Sequence, residues 1–152
     1  MTQGQTEIRR AVADDLDGIL RTDPYAARGD QDRSGFLRRS LALGECLVCL
    51  DHGAVAGFAV VKPAHFFGHD FIELLMVDPA RRRHGIGRNL LRAALAAAGT
   101  GQVFTSTNAS NQPMQSLLQA EGWSFSGELG GLDEGDPELV FYNTSGQPGR
   151  PG

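Results

Sequence analysis

From Phe71 to Ala98 the chain passes through three kinds of sequence in turn. An apolar run, Phe71-Ile-Glu-Leu-Leu-Met-Val77, ends at Asp78-Pro79. A basic stretch follows, Arg81-Arg-Arg-His-Gly-Ile-Gly-Arg88, and then the alanine-rich segment Asn89 to Ala98. The first reads as a buried strand. The last places Leu90, Leu91, Ala94, Leu95 and Ala98 on one helical stripe, with Gly99 as its C-terminal cap. A strand that turns directly into an amphipathic helix commits the chain to a layered architecture, with a sheet on one side and a helix across it. The turn between them is chemically marked. The first four N–H groups of a helix have no partner within it, and its dipole adds partial positive charge there, so anions bind at this point. Gly85 and Gly87 let the main chain approach such an anion without a Cβ in the way, and Arg81, Arg82, Arg83 and Arg88 surround it with charge.

The remaining sequence fits the same layered plan. Glu7 to Ala11 reads as a first strand. A helix starts at Ala13-Asp14-Asp15, with acids where its dipole favours them, and runs to about Thr22. Tyr25 to Ser34 is polar and turn-rich, and a second helix is expected from Gly35 to Leu43. Leu47–Leu50 and Ala54–Lys62 flank Asp51-His52-Gly53 as a hairpin. After the basic turn and its helix come a strand at Gln102–Thr107, a helix at Gln112–Glu121 capped by Asn111, and strands at Trp123–Leu129 and Glu138–Asn143. The expected class is α/β (α+β by some schemes). It has a mixed, mostly antiparallel sheet of six to seven strands flanked by helices, in the order strand, two helices, three strands, helix, strand, helix, two strands. Residues 1–144 form one domain, and Ser145 to Gly152 form a flexible tail.

Composition narrows the function. At 152 residues the chain matches one ordinary domain, and a net charge of −4 argues against a nucleic-acid binder. No apolar run approaches the roughly 20 residues that span a bilayer, and Met1 to Glu7 lacks a signal-peptide core, which points to the cytoplasm. Cys46 and Cys49 form a C-x-x-C, but on a strand residues three apart face opposite ways, so they read as small buried hydrophobes. His65 and His69 lie in a stretch broken by Pro63 and Gly68. They give no metal-binding pattern, and no metal is expected.

Two common phosphate motifs are absent from the basic turn. A Walker A loop would end in Gly-Lys-Ser/Thr where Gly87-Arg88-Asn89 stands. A dinucleotide fingerprint would need glycine at Leu90 and an acid near Thr105 to Thr107. The segment Arg82-Arg83-His84-Gly85-Ile86-Gly87 instead resembles the Gln/Arg-x-x-Gly-x-Gly/Ala motif of GNAT N-acetyltransferases. The preceding strand with Val77-Asp78-Pro79 is similar to that family too, as are the Leu90-Leu91 helix and the later Asn111…Leu117…Gly122-Trp123. The resemblance covers most of Ala11 to Trp123 and implies acetyl-CoA as cosubstrate. It implies pyrophosphate binding by the main chain from Arg82 through Arg83, His84, Gly85, Ile86 and Gly87 to Arg88. It further implies pantetheine binding by Met76, Val77 and Asn111, and a thioester carbonyl polarised by the Val77 N–H in an opening between the strands at Phe71–Val77 and Gln102–Thr107.

The chemistry would be direct attack by a primary amine of a small molecule or peptide. An amine with a pKa of about 10.4 gives up roughly 4–5 kcal/mol to become neutral at pH 7, so a base helps. Glu73 is the one acid within the apolar strand, where partial burial would raise its pKa toward that of a useful base. The resembling family places its general acid, a tyrosine, where this chain has Leu118. Tyr142 and Tyr25 are the available substitutes, and a thiol leaving group with a pKa of about 8.5 can also depart unaided. Leu118 also keeps open a non-catalytic acyl-CoA-binding or sensing module, and a nucleotide-phosphate binder is a third reading. Phe66 and Phe67 either edge a substrate pocket or serve as ordinary strand residues. Asp23, Asp30 and Asp32 hint at a cationic acceptor, and dimers are common in the resembling family.

Overall fold

The computed structural model describes residues 6–82, 84–98 and 101–145. Arg83, the capping Gly99 and residues 146–152 of the expected tail lie outside them. The elements in chain order are β1 (Thr6–Arg10), a 3-10 turn (Ala13–Asp15), α1 (Leu16–Thr22), α2 (Pro24–Ala27), α3 (Gln31–Ala42), β2 (Cys46–Asp51), β3 (Ala54–Phe66) and β4 (His69–Val77). A second 3-10 turn (Pro79–Arg81) is followed by α4 (Ile86–Ala97), β5 (Gly101–Asn108), α5 (Gln112–Ala120), β6 (Ser124–Leu129) and β7 (Glu138–Ser145). The seven strands form one sheet in the order β1-β2-β3-β4-β5-β7-β6. β4 and β5 run parallel, while β1–β2, β2–β3, β5–β7 and β6–β7 are antiparallel. The mixed, mostly antiparallel sheet flanked by helices is therefore the observed architecture.

The chain divides into two compact units, Met1–Val61 with Leu74–Ala94, and Lys62–Glu73 with Leu95–Gly152. In the first, β2 and β3 are joined by His52 and Gly53, both at positive φ (53° and 82°), the conformation that matches a two-residue turn to strand twist. β2 is buried on both faces. Cys46, Val48 and Leu50 join Ile19, Leu37, Phe58 and Val60 in one core cluster, with Leu74 and Met76 packed against it. Cys49 is buried but outside that cluster, as strand alternation requires.

The stretch after α1 departs from expectation. Instead of a polar loop up to Ser34 and a helix from Gly35, there is a short extra helix, α2, and α3 already begins at Gln31. The polar residues are helix caps. The Asp23 carboxylate accepts the N–H groups of Tyr25 and Ala26, with Pro24 preset for a first turn, and Asp30 accepts the Arg33 N–H. α4 likewise starts three residues earlier than expected, because Gly85 at φ 77° turns the chain straight into the helix. β3 continues to Phe66 through Pro63, past the expected end at Lys62.

In the second unit β4 pairs with β5 through Asp70–Val103, Phe71–Phe104 and Ile72–Thr105. The Thr105 hydroxyl adds a buried hydrogen bond to the Ile72 carbonyl at 2.8 Å. β5 pairs with β7 from Asn108–Glu138 to Gly101–Ser145, so Ser145 belongs to the last strand rather than to a tail. Ile72, Thr105 and Phe141 stand side by side on one face and are buried, and Leu118 of α5 is fully buried. The opposite face carries Phe71, Phe104 and Tyr142 in register.

Candidate functional site

The turn after β4 is built to leave main-chain donors open. Asp78 anchors its start. Its N–H donates to the Ala56 carbonyl at 2.8 Å, and its side chain accepts from the Ala80 N–H at 3.0 Å. The Arg81 guanidinium bonds Asp78 at 2.8 Å and lies 3.3 Å from Asp51, so this arginine fastens the turn to the hairpin and is not spare charge for an anion. Arg82, His84, Gly85 and Arg88 are exposed, Gly87 is half-buried, and the Ile86 side chain is buried. At the helix start Asn89 N–H donates to the Gly85 carbonyl at 3.0 Å. Among the described residues, no acceptor takes the N–H groups of His84, Gly85, Ile86 or Gly87. A Cβ added at Gly85 would meet no atom within 4 Å, so open space lies beside these donors. Four N–H groups that no described residue accepts, at the positive end of a helix dipole, are donors of the kind that hold a diphosphate.

Gly57 of β3 supports the same region from beneath. A Cβ there would stand 2.8 Å from the Met76 carbonyl oxygen, 3.0 Å from Leu90 Cδ1 and 3.1 Å from Ile86 Cγ2. Glycine thus lets β3 approach both the end of β4 and the first turns of α4, the two stretches whose main chain carries Met76, Val77, Ile86 and Gly87.

The second unit holds Glu73 and Tyr142, two of the residues expected to do acid–base work. Glu73 is exposed, where partial burial was expected. On its face of β4 it follows Phe71, whose ring is only half-buried, and its carboxylate reaches toward His65, with Oε1 3.8 Å from Nε2. Tyr142 is half-buried on β7, its ring 5.7 Å from that of Phe104. Leu118 is fully inside and supplies no proton. Asn111 is exposed and caps α5, its side-chain oxygen accepting the Met114 N–H at 3.2 Å. The guanidinium groups of Arg28 and Arg33 lie over the Tyr25 ring, 5.1 and 4.6 Å from its centre. Of the acids that hinted at a cationic acceptor, Asp23 is fully buried and engaged by Arg33 at 2.6 Å, and Asp30 is a cap, so both are structural. Among the described residues, no group of three or more His, Cys, Asp and Glu gathers as a metal site.

The family is decided by comparison. The model of the acetyltransferase (GNAT) family matches residues 11–123. The chain belongs to this family. A GNAT acetyltransferase from Bacillus cereus is 34% identical, with 92% of this chain and 97% of that one covered and a TM-score of 0.86. The yncA protein of Salmonella typhimurium, whose structure contains its cofactor acetyl-CoA, shares the fold at 18% identity and a TM-score of 0.73, covering 97% and 98% of the two chains. So does a ribosomal-protein-alanine N-acetyltransferase of Brucella melitensis, at 22% identity and a TM-score of 0.71, over 91% and 99%. No curated protein matches the sequence directly. The protein is thus an N-acetyltransferase by family, and the cosubstrate of that family is acetyl-CoA. No described helix of this acetyltransferase is long and apolar enough to cross a membrane.

Phe71 and Phe104 were not singled out in the sequence. Their alternation within a strand is visible there, but the register that sets them beside Tyr142 is a long-range fact.

Proposed function

We propose that the protein transfers the acetyl group of acetyl-CoA to a primary amine of a small molecule or peptide, by direct attack, as one cytoplasmic acetyltransferase-like domain that extends at least to Ser145. The observation that carries this reading is the row of N–H groups at the start of α4 that no described residue accepts, beside Gly85, where an added Cβ meets no atom within 4 Å. In it, main-chain donors from Arg82, Arg83, His84, Gly85, Ile86, Gly87 and Arg88 hold the diphosphate, with side-chain charge from the arginines. Main-chain groups of Met76 and Val77 align the pantetheine as an added strand would, and Asn111 touches it with its side-chain amide. The Val77 N–H takes the developing charge on the thioester oxygen.

Acetyl-CoA supplies an activated acetyl group as a thioester. The amine lone pair forms the C–N bond as the C–S bond breaks, and the proton lost from nitrogen goes to Glu73, directly or through one water. An exposed carboxylate suits this relay, since it exchanges its proton with solvent after each turnover. In this reading Tyr142 donates a proton to the departing sulfur. The buried cysteines take no part, because burial pushes the Cys46 thiol up to about 12 and raises Cys49 as well.

The test is thiol release from acetyl-CoA across a panel of amines. Glu73→Gln should lower kcat most strongly below the amine pKa, where a proton must be removed, and leave acetyl-CoA affinity nearly unchanged. A pH–rate profile identical to that of the unaltered enzyme would remove Glu73 from the mechanism.

A further inference from the structure

The face of the sheet that carries Glu73 is unusually rich in rings. Register sets Phe71, Phe104 and Tyr142 side by side on β4, β5 and β7. Phe66, at the end of β3, stacks on Phe71 with centroids 5.2 Å apart and planes 20° apart, and lies 5.1 Å from Phe104. His69 lies 5.5 Å from Phe104, and His65 is 6.1 Å from Phe71. None of these rings is buried: Phe66, Phe71, Phe104 and Tyr142 are half-buried, and both histidines are exposed. A core would enclose such residues, and a contiguous aromatic surface left open marks a binding site. Rings on adjacent strands about 4.8 Å apart make a platform about 10 Å wide. Glu73 stands two residues beyond Phe71 on the same face, about 6.7 Å along the strand. The platform and the acid lie in one compact unit.

We propose that this platform selects the acceptor, and that the preferred acceptor is an arylalkyl primary amine: a flat aromatic ring joined to the amine by a short alkyl linker. The inference rests on the acetyl-transfer reading and names its substrate class. The acceptor's ring lies against Phe71, Phe66 and Phe104 in offset or edge contact. Its ammonium group, before losing its proton, pairs with Glu73 and draws on the neighbouring ring faces. A linker of two carbons spans the step from Phe71 to Glu73. An aliphatic amine gains the carboxylate but not the rings, and a polyamine places a second charge over an apolar surface.

The experiment compares 2-phenylethylamine with n-butylamine in the full-length enzyme with acetyl-CoA, following thiol release. The unaltered enzyme should favour 2-phenylethylamine in kcat/KM by about tenfold, equivalent to roughly 1.4 kcal/mol. In Phe104→Leu, which removes a ring but keeps an apolar side chain, that ratio should fall to about one. Phe125→Leu, a ring change on β6 away from the platform, should keep the ratio. A ratio near one in the unaltered enzyme, or one that Phe104→Leu leaves intact, overturns the inference. Calorimetric titration of 2-phenylethylamine into the enzyme with CoA separates the two levels of the reading. Binding that Phe104→Leu weakens about tenfold, without turnover of any amine, would retain the platform and defeat the acetyl-transfer reading. No binding defeats the platform whatever the turnover.

Discussion

Replacing Gly57 by alanine tests how closely β3, β4 and α4 must approach one another. The added methyl group would sit 2.8 Å from the Met76 carbonyl oxygen, a backbone atom that cannot rotate away. Its other neighbours, Leu90 Cδ1 at 3.0 Å and Ile86 Cγ2 at 3.1 Å, belong to side chains that are 0% and 3% exposed, so neither has space to retreat. Overpacking of this kind costs about 1–3 kcal/mol. Alanine also restricts the unfolded chain, which returns about 0.4–1 kcal/mol because Gly57 is not held at positive φ. The net is a destabilisation of about 1–2 kcal/mol, or a fall in Tm of about 2–8 °C for a chain of this size. The shifted atoms belong to the main chain proposed to hold pantetheine and to the first turn of α4, so acetyl-CoA affinity should fall with stability. Gly127→Ala is the control. Nothing lies within 4 Å of its added methyl group and its φ is not positive, so it should be neutral or slightly stabilising. Thermal unfolding and a titration with acetyl-CoA measure both quantities. A Gly57→Ala protein as stable as the parent, with unaltered affinity, would refute the close-approach reasoning.

Three further outcomes are expected. Asp23→Ala removes the cap of α2 and leaves Arg33 without its buried partner. Denaturant unfolding should show a loss of roughly 2–3 kcal/mol, between that of a lost cap and that of a broken buried pair. Iodoacetamide at pH 8 should leave Cys46 and Cys49 unmodified in the folded protein and alkylate both once urea unfolds it, because burial raises both thiols, Cys46 to about 12. Finally, the bond from Arg9 holds the Asp15 carboxyl below its ordinary range. A carboxyl depressed in the folded state stabilises above its unfolded pKa of about 3.9 and loses that contribution as pH falls through the folded value. Asp15→Asn should therefore flatten the loss of stability below about pH 4, and an unchanged acid-unfolding curve would exclude this pair as a contributor.

Much of the fold was legible because its strongest signals are local. The apolar run into Asp78-Pro79, the leucine stripe of α4 and the Asp51-His52-Gly53 hairpin each depend on neighbours within a few residues. The basic glycine turn carried the family for the same reason. The errors arose where one residue type serves two structures. Asp23, Pro24 and Asp30 read as loop-forming residues, yet the two carboxylates start helices by accepting N–H groups two or three residues on, and Pro24 is preset for a first turn. Arg81 looked like one of four equivalent charges, and only the fold brings Asp51 within its reach. The exposure of Glu73 was hidden because an apolar run says that a strand is buried, not which of its side chains reaches water. The ring platform was invisible for a plainer reason. It joins residues from four strands, and their registers are set by pairings far apart in the chain.

The buried hydroxyl of Thr105 has a consequence for where parallel pairing stops. Ile72 is the final β4 residue of that ladder, and a carbonyl at such a boundary is the natural point for one more rung to form. The Thr105 hydroxyl satisfies that carbonyl from the side, and valine of nearly the same shape would leave the buried acceptor without this bond. The first β4 position beyond that ladder is Glu73, the proposed base, so a side-chain hydroxyl sits where pairing ends and that role begins.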